Sequence, residues 1–216
     1  VVLAAGGFVY NPAMVAAYCP DAARCAYLIG TDNDDGSGIR MGQGAGGAVR
    51  LLDVLECALP IMPPRSLARG VLVDGEGCRF LNEDTYTGRI GQHALRDHDG
   101  QAFWIVDQAI DEVNAVGMRV TFAAETPEEL AVELGVPPEA LAATLARYNA
   151  DAAAGVDTAF GKHADFLQPL VGPLGAIDLR VDHALYAPFT LGGLHTTVDA
   201  QVRAVDGGIV PGLYAA

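Results

Sequence analysis

Positive charge is what this sequence has least of. Its 216 residues carry 13 Lys and Arg against 27 Asp and Glu, a formal net charge of −14, and Lys162 is the only lysine. With no basic run, the chain is a poor nucleic-acid binder, because neutralising phosphates takes clustered cations. Base composition of the coding sequence explains the shortage of lysine as well as function does. No apolar stretch reaches the roughly 18–20 residues that cross a bilayer, so no membrane span is expected. Cys19, Cys25, Cys57 and Cys78 contain no C-x-x-C pair, which argues against zinc and iron–sulfur sites. They read as buried, reduced thiols of a cytoplasmic protein. His93, His98, His163, His183 and His195 lack the i, i+4 spacing of a metalloprotease, and no metal site is expected. A G-x-S-x-G elbow and a phosphate P-loop are also missing.

Hydrophobic residues make up 51% of the chain, enough for a sizeable core. Val1–Ala5 is an apolar run ending in Gly6-Gly7, the pattern of a buried parallel strand. Asn11-Pro12 predicts a capped helix over Pro12–Tyr18. A polar loop, Thr31–Gly38, leads to a helix expected over Ile39–Leu52. Its glycines 42, 44, 46 and 47 suggest a close approach to the backbone. Gly70–Asp74 and Cys78–Leu81, flanking Gly75-Glu76-Gly77, predict a hairpin. Ala102–Val106 reads as a strand and Asp107–Val113 as a short helix.

Thr126-Pro127-Glu128-Glu129 is a capping box, with Gly135 closing that helix. Pro137-Pro138-Glu139 opens another that runs to about Ala153, with Leu141, Leu145, Tyr148 and Ala152 on one face. Gly161–Gly175 is loop-like. Ala176–Val181, Gln201–Val205 and Gly212–Ala216 are further strand candidates, with a turn at Asp206-Gly207. No repeat or low-complexity tract is present. Apolar strands at both ends suggest one α/β layer, and the hairpin plus helix pair suggests an α+β middle.

Four segments can carry chemistry. Ala4-Ala5-Gly6-Gly7-Phe8 ends a strand on two glycines, where backbone can approach a ligand, although an ordinary turn has the same pattern. Asp34-Asp35-Gly36-Ser37-Gly38 precedes a helix start that suits oxyanions, but its acidic pair disfavours phosphate and suits ribose or ribityl hydroxyls. A solvated loop with Ser37 as cap reads as well. Arg79–Gly91 mixes acid, phenol and guanidinium, which could hold a carbonyl or carboxylate or form a salt-bridged surface loop. Phe189–Leu194 and Ile209–Ala216 place paired glycines before a strand, where a flat ligand could rest or a turn could form.

In this order the segments resemble the flavoproteins of the fumarate reductase/succinate dehydrogenase type, specifically their bacterial 3-ketosteroid dehydrogenase-like branch. The motifs carrying the resemblance are AAGGF at 4–8, DDGSGIRMGQGAGG at 34–47, GVLVDGEGCRFLNEDTY at 70–86, RYNADAAAGVDTAFGK at 147–162, LGGLHTTVDAQV from 191 and IVPGLYAA at 209–216. The resemblance implies an α/β plus α+β chain: an FAD/NAD(P)-binding-type domain, here incomplete, with an inserted α+β cap. Residues 1–58 and 184–216 would form the FAD-binding parts and residues 59–183 the cap. It implies FAD as cofactor, held by Gly6, Gly7, Asp35, Gly36, Thr190, Gly192, Gly193, Tyr214 and Ala215. The active site would lie between flavin and cap, lined by Asn82–Arg89 and Thr190–Gly193.

The sequence departs from the family at several points. A G-x-G-x-x-G fingerprint upstream and a glycine with a helix after Ala216 are missing, so the chain, which starts without Met, reads as cut at both ends. Fumarate reductases carry a His where Phe189 stands. The aromatic pair that ketosteroid dehydrogenases place after a proline is absent from Pro173-Leu174-Gly175-Ala176, as is a catalytic Tyr, which leaves that work to Tyr86 or Tyr186. The implied reaction dehydrogenates, or in reverse reduces, a carbon–carbon bond beside a carbonyl. Tyr86 and Tyr186 would handle the proton or the oxyanion, and Arg89 would supply positive charge. The substrate would be a small molecule, a steroid-like ketone or an unsaturated acid. Alternatives are a fumarate reductase-type enzyme, a non-catalytic cap-containing fragment and a cofactor-free acidic binding domain. As a fragment, the chain is expected to keep a folded cap, expose an apolar sheet edge, with the strands at Val1 and Tyr214 as neighbours, and bind FAD weakly or not at all.

Overall fold

The computed structural model describes residues 1–59, 65–110 and 119–216. The chain forms two compact units. Unit 1 combines Val1–Cys57 with Tyr186–Ala216, and unit 2 is Ala58–Leu185.

Unit 1 opens with β1 (Val2–Leu3), α1 (Pro12–Tyr18), a 3-10 turn (Pro20–Arg24), α2 (Ser37–Gly44), β2 (Val49–Arg50) and β3 (Leu55–Ala58). In unit 2 a 3-10 turn (Arg65–Arg69) precedes β4 (Val71–Asp74), α3 (Thr87–Asp97), β5 (Ala102–Asp107), β6 (Val120–Ala124), α4 (Pro127–Leu134), α5 (Pro138–Ala154), a 3-10 turn (Ala164–Phe166) and β7 (Leu174–Asp178). The chain then returns to unit 1 as β8 (Ala187–Thr190), β9 (Gly193–Leu194), β10 (Gln201–Arg203) and β11 (Ile209–Ala215).

Three small sheets build unit 1, in the orders β1-β11-β10, β2-β9 and β3-β8. β1 runs parallel to β11, with Val2 opposite Tyr214 and Leu3 opposite Ala215, so the two ends of the chain are sheet neighbours. The ladders of β2 with β9 and β10 with β11 are antiparallel, so the expected α/β layer is divided among three small sheets, with parallel pairing between its end strands. β1 is also not the buried strand its composition suggests. It is two residues long, and Val1 and Val2 are 81% and 68% exposed.

α1 forms where Asn11 and Pro12 predict it: the Asn11 side chain accepts the Met14 N–H at 3.1 Å, and Pro12 has no N–H that needs an acceptor. α2 stops at Gly44, well short of Leu52. Gly47 N–H bonds back to Gly42 O at 2.8 Å with Gly46 at φ +90°, and Ala48 N–H goes to Arg203 O at 2.8 Å. The N–H groups of Ala45, Gly46 and Gly47 thus close back on the carbonyls of Met41–Gln43 through the left-handed Gly46, and from Ala48 the backbone pairs with β10. Gly42 does meet a close neighbour, but it is the Leu194 side chain rather than a ligand.

Unit 2 is built on an antiparallel sheet in the order β4-β5-β7-β6. Every residue of the central strand β5 is buried. The hairpin expected over 70–81 shrinks to a tight turn. The Asp74 carboxylate accepts the N–H groups of Glu76 (3.0 Å) and Cys78 (2.9 Å), and a single bridge joins Val73 to Arg79. β4 pairs instead with β5, from Val71 opposite Ile105 to Asp74 opposite Ala102.

Asp107 ends β5 rather than starting a helix. Its carboxylate accepts the N–H groups of Ala109 and Ile110, and residues 111–113 of the expected helix lie outside the described residues. β6 had no counterpart in the sequence reading. The strand expected over Ala176–Val181 starts earlier, at Leu174, and ends at Asp178, which accepts Arg180 N–H at 3.0 Å.

α4 and α5 follow their punctuation. Thr126 caps α4 by accepting Glu129 N–H at 3.2 Å, and both helices end on left-handed glycines, Gly135 and Gly155. Leu141, Leu145, Tyr148 and Ala152 form the buried stripe of α5.

No helix among the described residues is long and apolar enough to cross a membrane. No group of His, Cys, Asp and Glu that could hold a metal occurs among them. None of the four thiols is in a disulfide. Cys78 is exposed, which corrects the expectation that all are buried.

Candidate functional site

Unit 1 contains a cleft of about 290 Å³ whose walls come from four stretches of chain: residues 3–7, the start of α2, residues 190–196 and Ala215-Ala216. Hydrogen bonds hold these stretches together. Gly36 N–H donates to Gly7 O at 3.0 Å, and Phe8 N–H donates to Thr190 Oγ1 at 2.9 Å. Ala216 N–H reaches Leu3 O at 3.1 Å.

Five glycines line the cleft, and they serve two purposes. A Cβ at Gly6 would run into the Asp34 carboxylate, one at Gly7 into the Thr190 hydroxyl, and one at Gly192 into the Leu51 carbonyl. At Gly38 it would stand 2.7 Å from the Ala5 Cβ. Those four are glycine because the walls themselves close on them. Gly193 differs, since a Cβ there would meet no protein atom within 4 Å.

The structure therefore brings Gly6, Gly7, Thr190, Gly192, Gly193 and Ala215 to one cleft. Three other expected cofactor residues, Asp35, Gly36 and Tyr214, are not in its lining. The Asp35 carboxylate accepts Ser37 N–H at 2.8 Å and helps start α2, with Arg40 at 3.8 Å. The Ser37 backbone N–H is the main reason its carboxyl lies below the usual range. Gly36 is the N-cap of α2 at φ +76°, packed under Phe8 and Met14, where it shapes the helix start. Tyr214 lies on the face of β11 opposite Leu213 and Ala215. Reading motifs missed Ile39, Leu194 and Thr196. Their signal is register: they follow Gly38 and Gly193 on elements that face the cleft.

The three side chains expected to do chemistry are not alike. Tyr86 is the N-cap residue of α3, 65% exposed, and its carbonyl accepts the N–H groups of Arg89 (2.9 Å) and Ile90 (3.3 Å). Arg89 is exposed in the first turn of the same helix, in unit 2. Tyr186 is completely buried in unit 1, unlike the exposed Tyr86 and Arg89.

The loop leading to Tyr86 is fastened by an ion network in unit 2. The guanidinium of Arg79 makes paired bonds to Glu83 (2.8 and 2.7 Å) and to Asp157 (3.0 and 2.9 Å). Lys162 Nζ lies 3.0 Å from Glu83 and donates to Gly70 O at 2.6 Å. The guanidinium also lies over the rings of Tyr148 and Phe160, 5.2 and 5.0 Å from their centroids. Burial would raise the Asp157 carboxyl, but its bonds from Arg79 and the backbone hold it down at about 2. Burial pushes Lys162 down, against the pull of Glu83. The surface loop and the substrate-holding loop are both poor descriptions of Arg79 and Glu83, which are structural and buried.

The cleft suits part of FAD. Its walls offer glycine backbone, the hydroxyls of Thr190 and Thr196 and the N-terminal end of α2, which together favour a flat ring edged with polar atoms. At about 290 Å³ it takes a portion of a dinucleotide rather than all of it.

Comparison with known proteins agrees. A 3-oxo-5-alpha-steroid 4-dehydrogenase of Comamonas testosteroni is 29% identical over 213 residues, covering 88% of this chain and 40% of its own length. An NADH:acrylate oxidoreductase of Vibrio harveyi is 32% identical over 240 residues, covering 100% of this chain and 23% of its own. A solved 3-ketosteroid-delta4-(5alpha)-dehydrogenase of Rhodococcus jostii RHA1, in complex with 4-androstene-3,17-dione, has a TM-score of 0.91 at 39% identity, over 100% of this chain and 45% of that one. The chain thus spans less than half the length of each. Residues 1–216 match the family described as FAD binding domain. With that match running from Val1 to Ala216, the chain belongs to the FAD binding domain family of flavoproteins.

Proposed function

We propose that the protein carrying this chain is an FAD-dependent oxidoreductase that removes hydrogen from a carbon–carbon bond beside a ketone, with a 3-ketosteroid-like substrate. In this reading residues 1–58 and 184–216 contribute to FAD binding, and residues 59–183 are a substrate-binding cap. The observation that carries the reading is the glycine-walled cleft of unit 1, with open space at Gly193. The 39% identity to a ketosteroid dehydrogenase over the whole chain favours a ketone substrate. So does Phe189, which offers a dicarboxylate no charge. Thiols outside any disulfide suit a reducing, cytoplasmic compartment.

Bound FAD would accept hydride from the carbon next to the one that loses a proton. The chain's own residues would do the rest. Thr190 accepts the Phe8 N–H and keeps its own proton to donate into the cleft. Gly192 and Gly193 keep that wall free of side chains. Tyr86, exposed at the start of α3, is the candidate to take the α-proton or to donate to the enolate oxygen. Arg89, three residues on, adds positive charge where negative charge develops.

A second reading is reduction of an unsaturated acid, favoured by the 32% identity to an acrylate reductase over the whole chain. One anaerobic experiment separates the two. A saturated 3-ketosteroid should bleach the flavin absorbance of the purified protein, and fumarate or acrylate should leave its reduced flavin unchanged. Reoxidation by the acids with no response to steroids would select the second reading. A protein that holds no flavin would overturn both.

A further inference from the structure

Two thiols far apart in sequence meet inside unit 1. Cys25 Sγ and Cys57 Sγ are 3.6 Å apart, and both residues are buried. Cys25 terminates the 3-10 turn Pro20–Arg24, and Cys57 stands in β3. The third buried thiol, Cys19, is engaged elsewhere, donating to Leu52 O at 2.9 Å. Cys78 is exposed and belongs to unit 2.

A disulfide needs the sulfurs to close to about 2.05 Å, so side-chain movement of roughly 1.5 Å separates contact from bond. We propose that Cys25 and Cys57 are a redox pair, closed by peroxide into a reversible disulfide that fastens the 3-10 turn to β3. This inference is independent of the proposed oxidoreductase activity. The partition of roles follows from the surroundings. The hydrogen bond with Cys57, helped by Arg24, brings the Cys25 thiol below its ordinary value, whereas the same bond and burial push Cys57 up. Cys25 also keeps 8% exposure where Cys57 has none, so peroxide meets it first and Cys25 is the attacking sulfur.

Its thiolate attacks one peroxide oxygen, the O–O bond breaks, and hydroxide leaves and is protonated to water, giving a sulfenic acid at Cys25. Cys57 sulfur then attacks the Cys25 sulfur. The S–S bond forms, the S–O bond breaks, and a second water leaves with the Cys57 proton. Two thiols lose two electrons and hydrogen peroxide gains them. The consequence reaches the cleft through one ladder, because β3 pairs with β8, and β8 ends at Thr190 in the cleft wall.

The test uses the folded chain with Cys78→Ser, which removes the exposed competitor. Hydrogen peroxide should lower the free-thiol count, measured after unfolding, by two. Non-reducing digestion should yield one linked peptide pair containing Cys25 and Cys57, and a phosphine reductant should restore both thiols. Adding Cys25→Ser should abolish the link, and Cys25→Ala repeats that test if the serine variant fails to fold. The proposal is overturned if Cys25 and Cys57 remain alkylatable after peroxide treatment that fully oxidises Cys78 in the unsubstituted protein. It is also overturned if Cys19 is a partner in the link, or if the link forms only in denaturant.

Discussion

The backbone N–H of Phe8 donates to the hydroxyl of Thr190, 2.9 Å away and 182 residues along the chain. The bond joins the glycine turn after β1 to the end of β8, two walls of one cleft. Thr190→Val should leave this donor without a partner and cost about 1–3 kcal/mol. Thr190→Ser should retain most of that stability. Urea unfolding of the two variants checks the difference, and equal midpoints would show that the bond does not matter.

Gly7 and Gly193 should respond oppositely to an added methyl group. Gly7→Ala drives a Cβ into the Thr190 hydroxyl, so the expected outcome is a lower unfolding midpoint. Gly193→Ala has room within the fold, so stability should stay within about 0.5 kcal/mol of the parent. Its effect should fall on the ligand, with FAD affinity weakened about tenfold, a loss of about 1.4 kcal/mol. Flavin fluorescence titration beside urea unfolding reads both.

Glu83 is the hub of the unit 2 network, facing Arg79 and Lys162 and accepting Leu72 N–H at 2.9 Å. Glu83→Gln leaves Arg79 with Asp157 alone and Lys162 Nζ with the neutral Gly70 O and Tyr148 Oη, and should destabilise by about 3–5 kcal/mol. The same change should loosen the Asn82–Arg89 loop. Hydrogen exchange at residues 82–89, measured with the unfolding curve, tests both parts.

Asp157 gives the network a defined acid limit. Its carboxyl lies at about 2 in the folded protein, below its value in an unfolded chain. The stabilisation it brings is complete above about pH 4 and disappears as the pH falls through about 2. Melting temperature should therefore drop across that window, and less steeply in Asp157→Asn, which is less stable at neutral pH. Parallel curves for the two proteins would reject this role.

Tyr86→Phe is the decisive change for the proposed chemistry. Turnover of the flavin-loaded protein should fall about 100-fold, the lower end of what general acid–base catalysis contributes. Flavin content should not change, because Tyr86 is not among the residues that line the cleft. Unaltered turnover would remove Tyr86 from the mechanism.

Local signals in the sequence were readable wherever one residue type settles one backbone problem. Asn11-Pro12, Thr126-Pro127 and the glycines after α4 and α5 each cap a helix by themselves, and all those ends are correct. The cleft was half legible. Gly6, Gly7, Thr190, Gly192 and Gly193 stand out as pairs and turns, but which glycine faces open space depends on Leu51, Asp34 and Ala5, supplied from distant segments. Asp35 and Gly36 start α2 and lie outside the cleft lining, and a helix start and a ligand site draw on the same residue types. The ion network was hidden for a similar reason. Arg79 and Glu83 are close in sequence, but Asp157 and Lys162 complete them from beyond α5, and a lone lysine carries no pattern.

β3 and β8 are hydrogen-bonded neighbours, and unit 2 is the continuous stretch of chain between them. Its point of departure and its point of return are therefore side by side. An insertion with adjoining ends can lengthen, shorten or be exchanged without redirecting the strands that receive it. Residues 58–185 can thus change in length or content without rerouting β3 or β8, and the walls of the glycine cleft, all in unit 1, stay as they are.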